Sequence, residues 1–135
     1  MSQELVKKVL ATEVNTFATT NNLSIAWENI PFEPDTVDEY LEFYIMFSNP
    51  DNGFLVSGDR IIGVMQLNIY TPLNQGDGRA WQISTLIKNY FNDKNFNNQI
   101  LNYKVYTDNM ITKDGINTDN KYKKIVELQF QAWRD

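Results

Sequence analysis

Apolar residues recur at helical spacing from Gln3 to about Thr20, at Leu5, Val6, Val9, Leu10, Val14 and Phe17. This spacing predicts a first helix with Ser2 as its N-cap and Asn21-Asn22 at its end. On a helical wheel the six side chains spread over about half the circumference, wider than the ~100° stripe of a helix packed on one surface only. Two neighbours should therefore share it. Glu13 falls inside the stripe, where an unpaired carboxylate is costly to bury, so it should meet a cation or lie at the wet edge.

Ile25 and Trp27 precede an irregular stretch, Glu28-Asn29-Ile30-Pro31-Phe32-Glu33-Pro34, whose two prolines stop central-strand pairing and predict an exposed connection. Tyr40–Phe47 then alternates strictly. Leu41, Phe43, Ile45 and Phe47 share one face, and Tyr40, Glu42, Tyr44 and Met46 share the other, so that both faces are partly apolar. Asn49-Pro50-Asp51-Asn52-Gly53 supplies turn chemistry and Gly58-Asp59 a second break, before residues 60–70 give the longest apolar strand signal in the chain. The two strands are expected to be antiparallel neighbours.

Thr71-Pro72 ends that strand, and Asn74-Gln75-Gly76-Asp77-Gly78 forms a loop in which Asp77 is placed to cap a second helix over residues 79–91. Ala80, Ile83, Ile87, Tyr90 and Phe91 make its apolar face. Trp81 lies about 145° from the centre of that face, among Gln82, Ser84, Thr85 and Lys88, and a tryptophan there wants cover. The asparagine-dense residues 89–102 read as a connection. Two more strands are predicted over residues 100–106 and 122–133, joined by a polar segment containing Gly115. In the last strand Tyr122, Val126, Leu128, Phe130 and Ala132 alternate with Lys123, Glu127, Gln129 and Gln131, giving one core face and one wet face. The expected architecture is α+β: a single domain over residues 1–135, with a mixed, mostly antiparallel sheet of about four to five strands and two helices packed on it.

Composition narrows the chemistry. The chain has 135 residues and lacks both cysteine and histidine, which leaves no thiol nucleophile, no Ser-His-Asp arrangement and no Cys/His zinc cluster. At this length a core forms without disulfides or structural metals. No basic end followed by a continuous apolar run opens the sequence, so no secretory signal or membrane span is expected. Charge is uneven. Residues 1–59 hold ten acidic and two basic side chains, net −8, whereas residues 60–135 hold seven acidic and ten basic, net +3. Either this is an ordinary solvated surface or copies of the chain carry complementary faces. Lys121, Lys123 and Lys124 form the one basic cluster that could meet a nucleic acid, and no sequence-specific nucleic-acid binding is expected from it.

Neither carboxylate group of the chain, Asp35-Asp38-Glu39 or Asp114-Asn117-Asp119, follows a calcium-loop pattern. Both read as solvated turns, and no metal site is predicted. Gly76-Asp77-Gly78 before a helix superficially resembles a phosphate cradle, but the third glycine of a dinucleotide fingerprint and the Gly-Lys-Ser/Thr of a P-loop are missing. Glu28, Glu33, Glu42 and Glu127 could in principle supply a glycosidase pair, yet nothing selects two of them. No catalytic or cofactor-binding residue is assigned. An alternative function is a monomeric or dimeric carbohydrate- or peptide-binding module with Trp27, Trp81 or Trp133 as its platform.

Trp27-Glu28-Asn29-Ile30-Pro31-Phe32 resembles a W-x-N-x-P-F segment of the bacteriophage tail terminator (tail completion) family, the lambda-like minor tail proteins of non-contractile tails. The similarity continues in order through Tyr40-Leu41, Asn52-Gly53, the strand Arg60-Ile61-Ile62-Gly63-Val64-Met65-Gln66-Leu67-Asn68-Ile69-Tyr70, Thr71-Pro72, Gly76-Asp77-Gly78 and Val126-Glu127-Leu128-Gln129-Phe130-Gln131-Ala132. The resemblance implies a structural virion protein without enzymatic activity. It would be made in the host cytoplasm and would cap the tail tube as a homo-oligomeric ring, a hexamer, that ends polymerisation and offers a surface for joining the head. Its partners would be further copies of itself, the tail tube protein and a head-completion or connector protein. A ring needs heterologous contacts, for which Leu10, Glu13 and Trp81 are the candidate interface residues. Asp51, Asn52 and Gly53, with Gln75, Gly76, Asp77 and Gly78, are the candidate partner-contacting loops.

Overall fold

The fold was read from a computed structural model, which describes residues 3–48, 60–98 and 102–134. Helix α1 (Gln3–Thr20) is followed by β1 (Ser24–Ala26), a 3-10 turn (Pro34–Thr36), β2 (Tyr40–Phe47) and β3 (Arg60–Pro72). Then come α2 (Gly78–Phe91), β4 (Lys94–Asn98), β5 (Tyr103–Thr112), β6 (Ile116–Asn117) and β7 (Lys121–Arg134). The strands form one sheet in the order β1-β2-β3-β7-β5-β4, with β6 beside β7. The β1–β2 pair is parallel and every other pair antiparallel.

Helix α1 ends where its sequence predicts. Asn22 turns into the left-handed region at φ 56°, and the Leu23 N–H reaches back to the Ala18 carbonyl at 2.8 Å while the Asn22 N–H meets that of Thr19 at 3.3 Å. This is a Schellman closure with asparagine in place of glycine. Ser2, the expected N-cap, lies outside the described residues. Val6, Val9, Leu10, Val14, Phe17 and Ala18 are buried, and the wide stripe does serve two neighbours. Phe17 packs edge-on to Tyr90 at 5.5 Å and tilted to Phe91 at 5.9 Å, both on α2, while the rest of the stripe rests on the sheet.

Both helices cover one face of the sheet. Leu41 and Phe43 of β2, Met65, Leu67 and Ile69 of β3, Val105 of β5, and Val126, Leu128, Phe130 and Ala132 of β7 all point into that single core. The opposite face is open.

The sheet has seven strands among the described residues, not four to five. The additions, β1, β4 and β6, are 3, 5 and 2 residues long, too short to display alternation. The asparagine-rich residues 89–102 are therefore not a plain connection. They hold the end of α2, a turn at Asn92-Asp93 with Asp93 at φ 53°, and β4, in which Phe96 alone packs against the core. β5 extends to Thr112 instead of stopping near Tyr106, because a register shift between Thr107 and Met110 breaks its alternation midway. Its predicted first residues, 100 and 101, lie outside the described residues.

Gly63 sits where β2, β3 and β7 come together. A Cβ there would press on the Met46 carbonyl and stand 2.6 Å from the Phe130 ring. Gly63→Ala is therefore expected to destabilise the fold by about 1–3 kcal/mol, read as a lower urea midpoint with an unchanged slope; an unshifted midpoint would show that the sheet accommodates the methyl group.

Candidate functional site

The first turn of α2 carries Trp81 on its outer side, 49% exposed. Asp77 was expected to cap this helix with its carboxylate, but makes no side-chain cap. Its Oδ2 instead accepts the indole Nε1–H of Trp81 at 3.1 Å, and its carbonyl accepts the Trp81 backbone N–H at 3.1 Å. From the sheet, Lys124 of β7 places its Nζ 3.7 Å from the centroid of the Trp81 ring. Lys124 is 2% exposed and donates to the Lys113 carbonyl at 3.3 Å. A desolvated cation on an indole face contributes about 2 kcal/mol. The tryptophan is thus held by a carboxylate at its N–H and a buried ammonium on its ring, while half of its surface stays open to solvent.

One ion pair adjoins this anchor, and another lies on the opposite face of the sheet. The Arg79 Nε donates to Glu39 at 2.7 Å, linking α2 to the segment before β2, and Lys113 pairs with Glu127 at 2.8 Å. Arg79 also lines a polar cleft of about 350 Å³ with Asp38, Glu39, Thr71, Gln75 and Gly76. A shallow, mostly apolar hollow borders Trp81, formed by Gly78, Arg79, Gln82, Thr85 and Leu86.

A second concentration of chemistry lies on the open sheet face. Glu42 Oε1 accepts the Tyr70 hydroxyl at 2.6 Å and the Asn68 Nδ2 at 3.0 Å, and Oε2 accepts the Tyr44 hydroxyl at 3.4 Å. Burial, then the hydrogen bond to Glu42, pushes the Tyr70 phenol far up; burial, then the Glu42 charge, raises that of Tyr44. Tyr40 stacks on Tyr70 at 4.5 Å, and Lys123 Nζ approaches the Tyr70 ring at 5.8 Å. These groups brace the sheet. Among the described residues no set of three acidic side chains comes together to hold a metal ion.

The residues singled out from sequence separate clearly. Leu10, expected at a subunit interface, is 0% exposed and belongs to the core, so it has no surface to offer. The apolar excess of α1 that suggested it is taken up by the chain's own sheet and α2. Glu13 sits at the half-buried edge of the stripe and meets a hydroxyl in place of a cation, accepting Tyr90 OH at 2.7 Å. Trp81 is displayed as expected, and Gln75, Gly76, Asp77 and Gly78 lie exposed beside it. Asp51, Asn52 and Gly53 lie outside the described residues. Of the other tryptophans, Trp27 is half-buried and edge-on to Phe43 at 5.8 Å, and Trp133 is half-buried on β7, so neither joins Trp81 in one platform. Lys124, grouped from sequence with Lys121 and Lys123 as a basic cluster, is buried and so is not part of a surface patch; the signal was its inward position in the β7 alternation, between Tyr122 and Val126.

A single layer of two helices on a mixed sheet, with a braced and half-exposed tryptophan on α2, defines an α+β protein. The family model for phage tail terminator proteins matches residues 5–125, and the chain belongs to that family. The family is structural, and its members are components of the virion tail. A solved structure superposes with a TM-score of 0.78 over 100% of this chain and 98% of its own, at 20% identity, and shares the fold. No curated protein matches the chain.

Burial and the bond to Glu13 push the Tyr90 phenol up to about 12, against about 10 in an unfolded chain. The folded state thus holds the phenolic proton more tightly. The stability this contributes is complete below about pH 10 and is lost as pH rises through 12. Tyr90→Phe should flatten the alkaline fall in urea midpoint between pH 10 and 12; a variant falling as steeply as the parent would separate that loss from Tyr90.

Proposed function

We propose that this protein caps the end of a phage tail tube as a closed homo-oligomeric ring, a hexamer, stopping tube polymerisation and presenting the surface to which the head is joined. Its partners on this reading are further copies of itself, the tail tube protein below and a head-completion or connector protein above. It would meet them in the host cytoplasm during assembly and remain in the finished tail.

The observation that carries the reading is Trp81. A half-exposed indole costs little to bury when its rotamer is already held, and here Asp77 and Lys124 hold it. Such a side chain loses little entropy on docking, which favours a strong anchor. The net charges of −8 for residues 1–59 and +3 for residues 60–135 suit a head-to-tail contact, where complementary charge selects orientation and speeds encounter. The loop Gln75-Gly76-Asp77-Gly78 beside Trp81 extends the same surface, and Glu13 at the α1–α2 edge is a separate candidate contact. The loop at Asp51, Asn52 and Gly53 remains a partner-contacting candidate by its turn chemistry.

The test is polymerisation of the tail tube protein with and without this chain, scored by tube length in electron micrographs. Added protein should shorten the tubes and appear as a ring at one end; tubes of unchanged length without end density would refute the capping role. Trp81→Ala should weaken end binding at least tenfold while costing about 1–2 kcal/mol of fold stability through the lost contact with Lys124. Unchanged end binding by this variant would remove Trp81 from the interface.

A further inference from the structure

The sheet is unfinished along β2. β1 pairs with it over three residues, Ser24 with Tyr40, Ile25 with Leu41 and Ala26 with Glu42, and the chain then departs. The Ser48 N–H meets the Ile62 carbonyl of the β3 side at 2.8 Å. In an antiparallel ladder both backbone groups of a residue point the same way and alternate residue by residue. Even-numbered residues of β2 therefore turn toward β3, and odd-numbered ones turn outward. Leu41 finds β1. β1 also reaches the Phe43 N–H through the Ala26–Glu42 pairing, whereas the Phe43 C=O and both backbone groups of Ile45 and Phe47 face an edge where no other described segment pairs. Proteins blunt such edges with charge, proline or cover; here the strand reads Phe-Tyr-Ile-Met-Phe.

Water can satisfy these outward N–H and C=O groups one by one, but another extended backbone matches the whole row in register. One is available at the far end of the sheet. β4 (Lys94–Asn98) closes the strand order, pairs with β5 and with no other described strand, and has five residues, as does the open stretch Phe43–Phe47. Its direction also fits. Stepping from β2 through antiparallel β3, β7 and β5 to β4 reverses the chain four times, so β4 runs in the same sense as β2 and β1. If each copy continues the sheet of the last, a neighbour's β4 arrives parallel to β2 and prolongs the row that β1 begins. The faces match as well. Phe96 is paired with Val105 on the helix side, with Asn95 and Asn97 on the open side, as Phe43, Ile45 and Phe47 lie on the helix side of β2 and Tyr44 and Met46 on the open side. The single charge on β4 is Lys94, which would enter the acidic stretch of residues 1–59.

We infer that subunits of the ring join by strand addition: β4 of one copy pairs, in parallel, with the open edge of β2 in the next. This rests on the ring reading and specifies its interface. A β2–β2 pairing would be antiparallel and isologous, would close after two copies and would leave every β4 edge open.

The absence of cysteine makes the contact directly testable. Tyr44→Cys or Met46→Cys, each combined with Asn95→Cys or Asn97→Cys, puts thiols on the open side of both strands. Neighbouring strands run about 4.8 Å apart, within reach of a disulfide. On tail tubes under mild oxidation, at least one of the four double variants should give a ladder of covalent multimers ending at the ring size, and the single variants should give none. Ile45→Pro, which removes one outward donor and leaves the β3 ladder intact, should abolish the ring while the circular dichroism spectrum stays that of the parent. Rings that form without a ladder from any double variant, and that tolerate Ile45→Pro, would overturn strand addition and leave the ring reading standing. Dimers from Tyr44→Cys or Met46→Cys alone would show β2–β2 pairing and overturn it likewise. If the unaltered chain forms no ring on tubes at all, both readings fall.

Discussion

Strand β3 is hydrogen-bonded along its length to β7 on one side and over most of it to β2 on the other, and between those partners Met65, Leu67 and Ile69 are sealed from water beneath the helices. A strand held on both edges has no freedom of register. A shift by one residue would turn those three side chains to the open face and bring Gln66 and Asn68 inward. Gly63 permits the close approach that this pairing requires, since Phe130 of β7 and the β2 backbone fill the space a side chain would take. The positions of α1 and α2 follow, because among the described residues the continuous apolar face that receives them is the one that β3 anchors.

Placing both helices on one face has a consequence for the other. The open face must meet water, yet it carries Tyr44, Met46, Ile62 and Ile111, each exposed. Its polar residues organise around Glu42, whose carboxylate gathers Tyr70, Asn68 and Tyr44. That network satisfies groups which would otherwise be costly beneath Tyr40 and Tyr70. The result is a sheet rigid at its centre, with its binding potential at the margins: the braced Trp81 on α2, and the unpaired backbone of β2.

The candidate site was partly legible. Trp81 stands out because its position on the helical wheel contradicts its hydrophobicity, a local fact that no later contact can erase. Leu10 misled because a wide apolar stripe has two explanations, a neighbouring subunit or a second internal neighbour, and only the packing of Phe17 on Tyr90 and Phe91 shows which applies. The role of Asp77 reversed for a similar reason. A carboxylate before a helix can cap the backbone or reach a side chain one turn on, and the indole N–H four residues away captured it. Lys124 was visible as a charge at an inward position, but its meaning depended on an aromatic ring 43 residues earlier in the chain.

Periodicity by itself determined α1, β2, most of β3 and β7, and the core of α2, because each repeats its pattern over enough turns or alternations to exclude the other secondary structure. The absence of thiol and imidazole likewise closed off their chemistry before any folding was considered. Only the tertiary structure decided the short strands β1, β4 and β6, which exist because a longer neighbour offers its edge and not because their own residues prefer to be extended. It also decided which apolar surface is core and which is left facing outward. Burial is a property of pairs of surfaces, and a sequence writes only one member of each pair at a time.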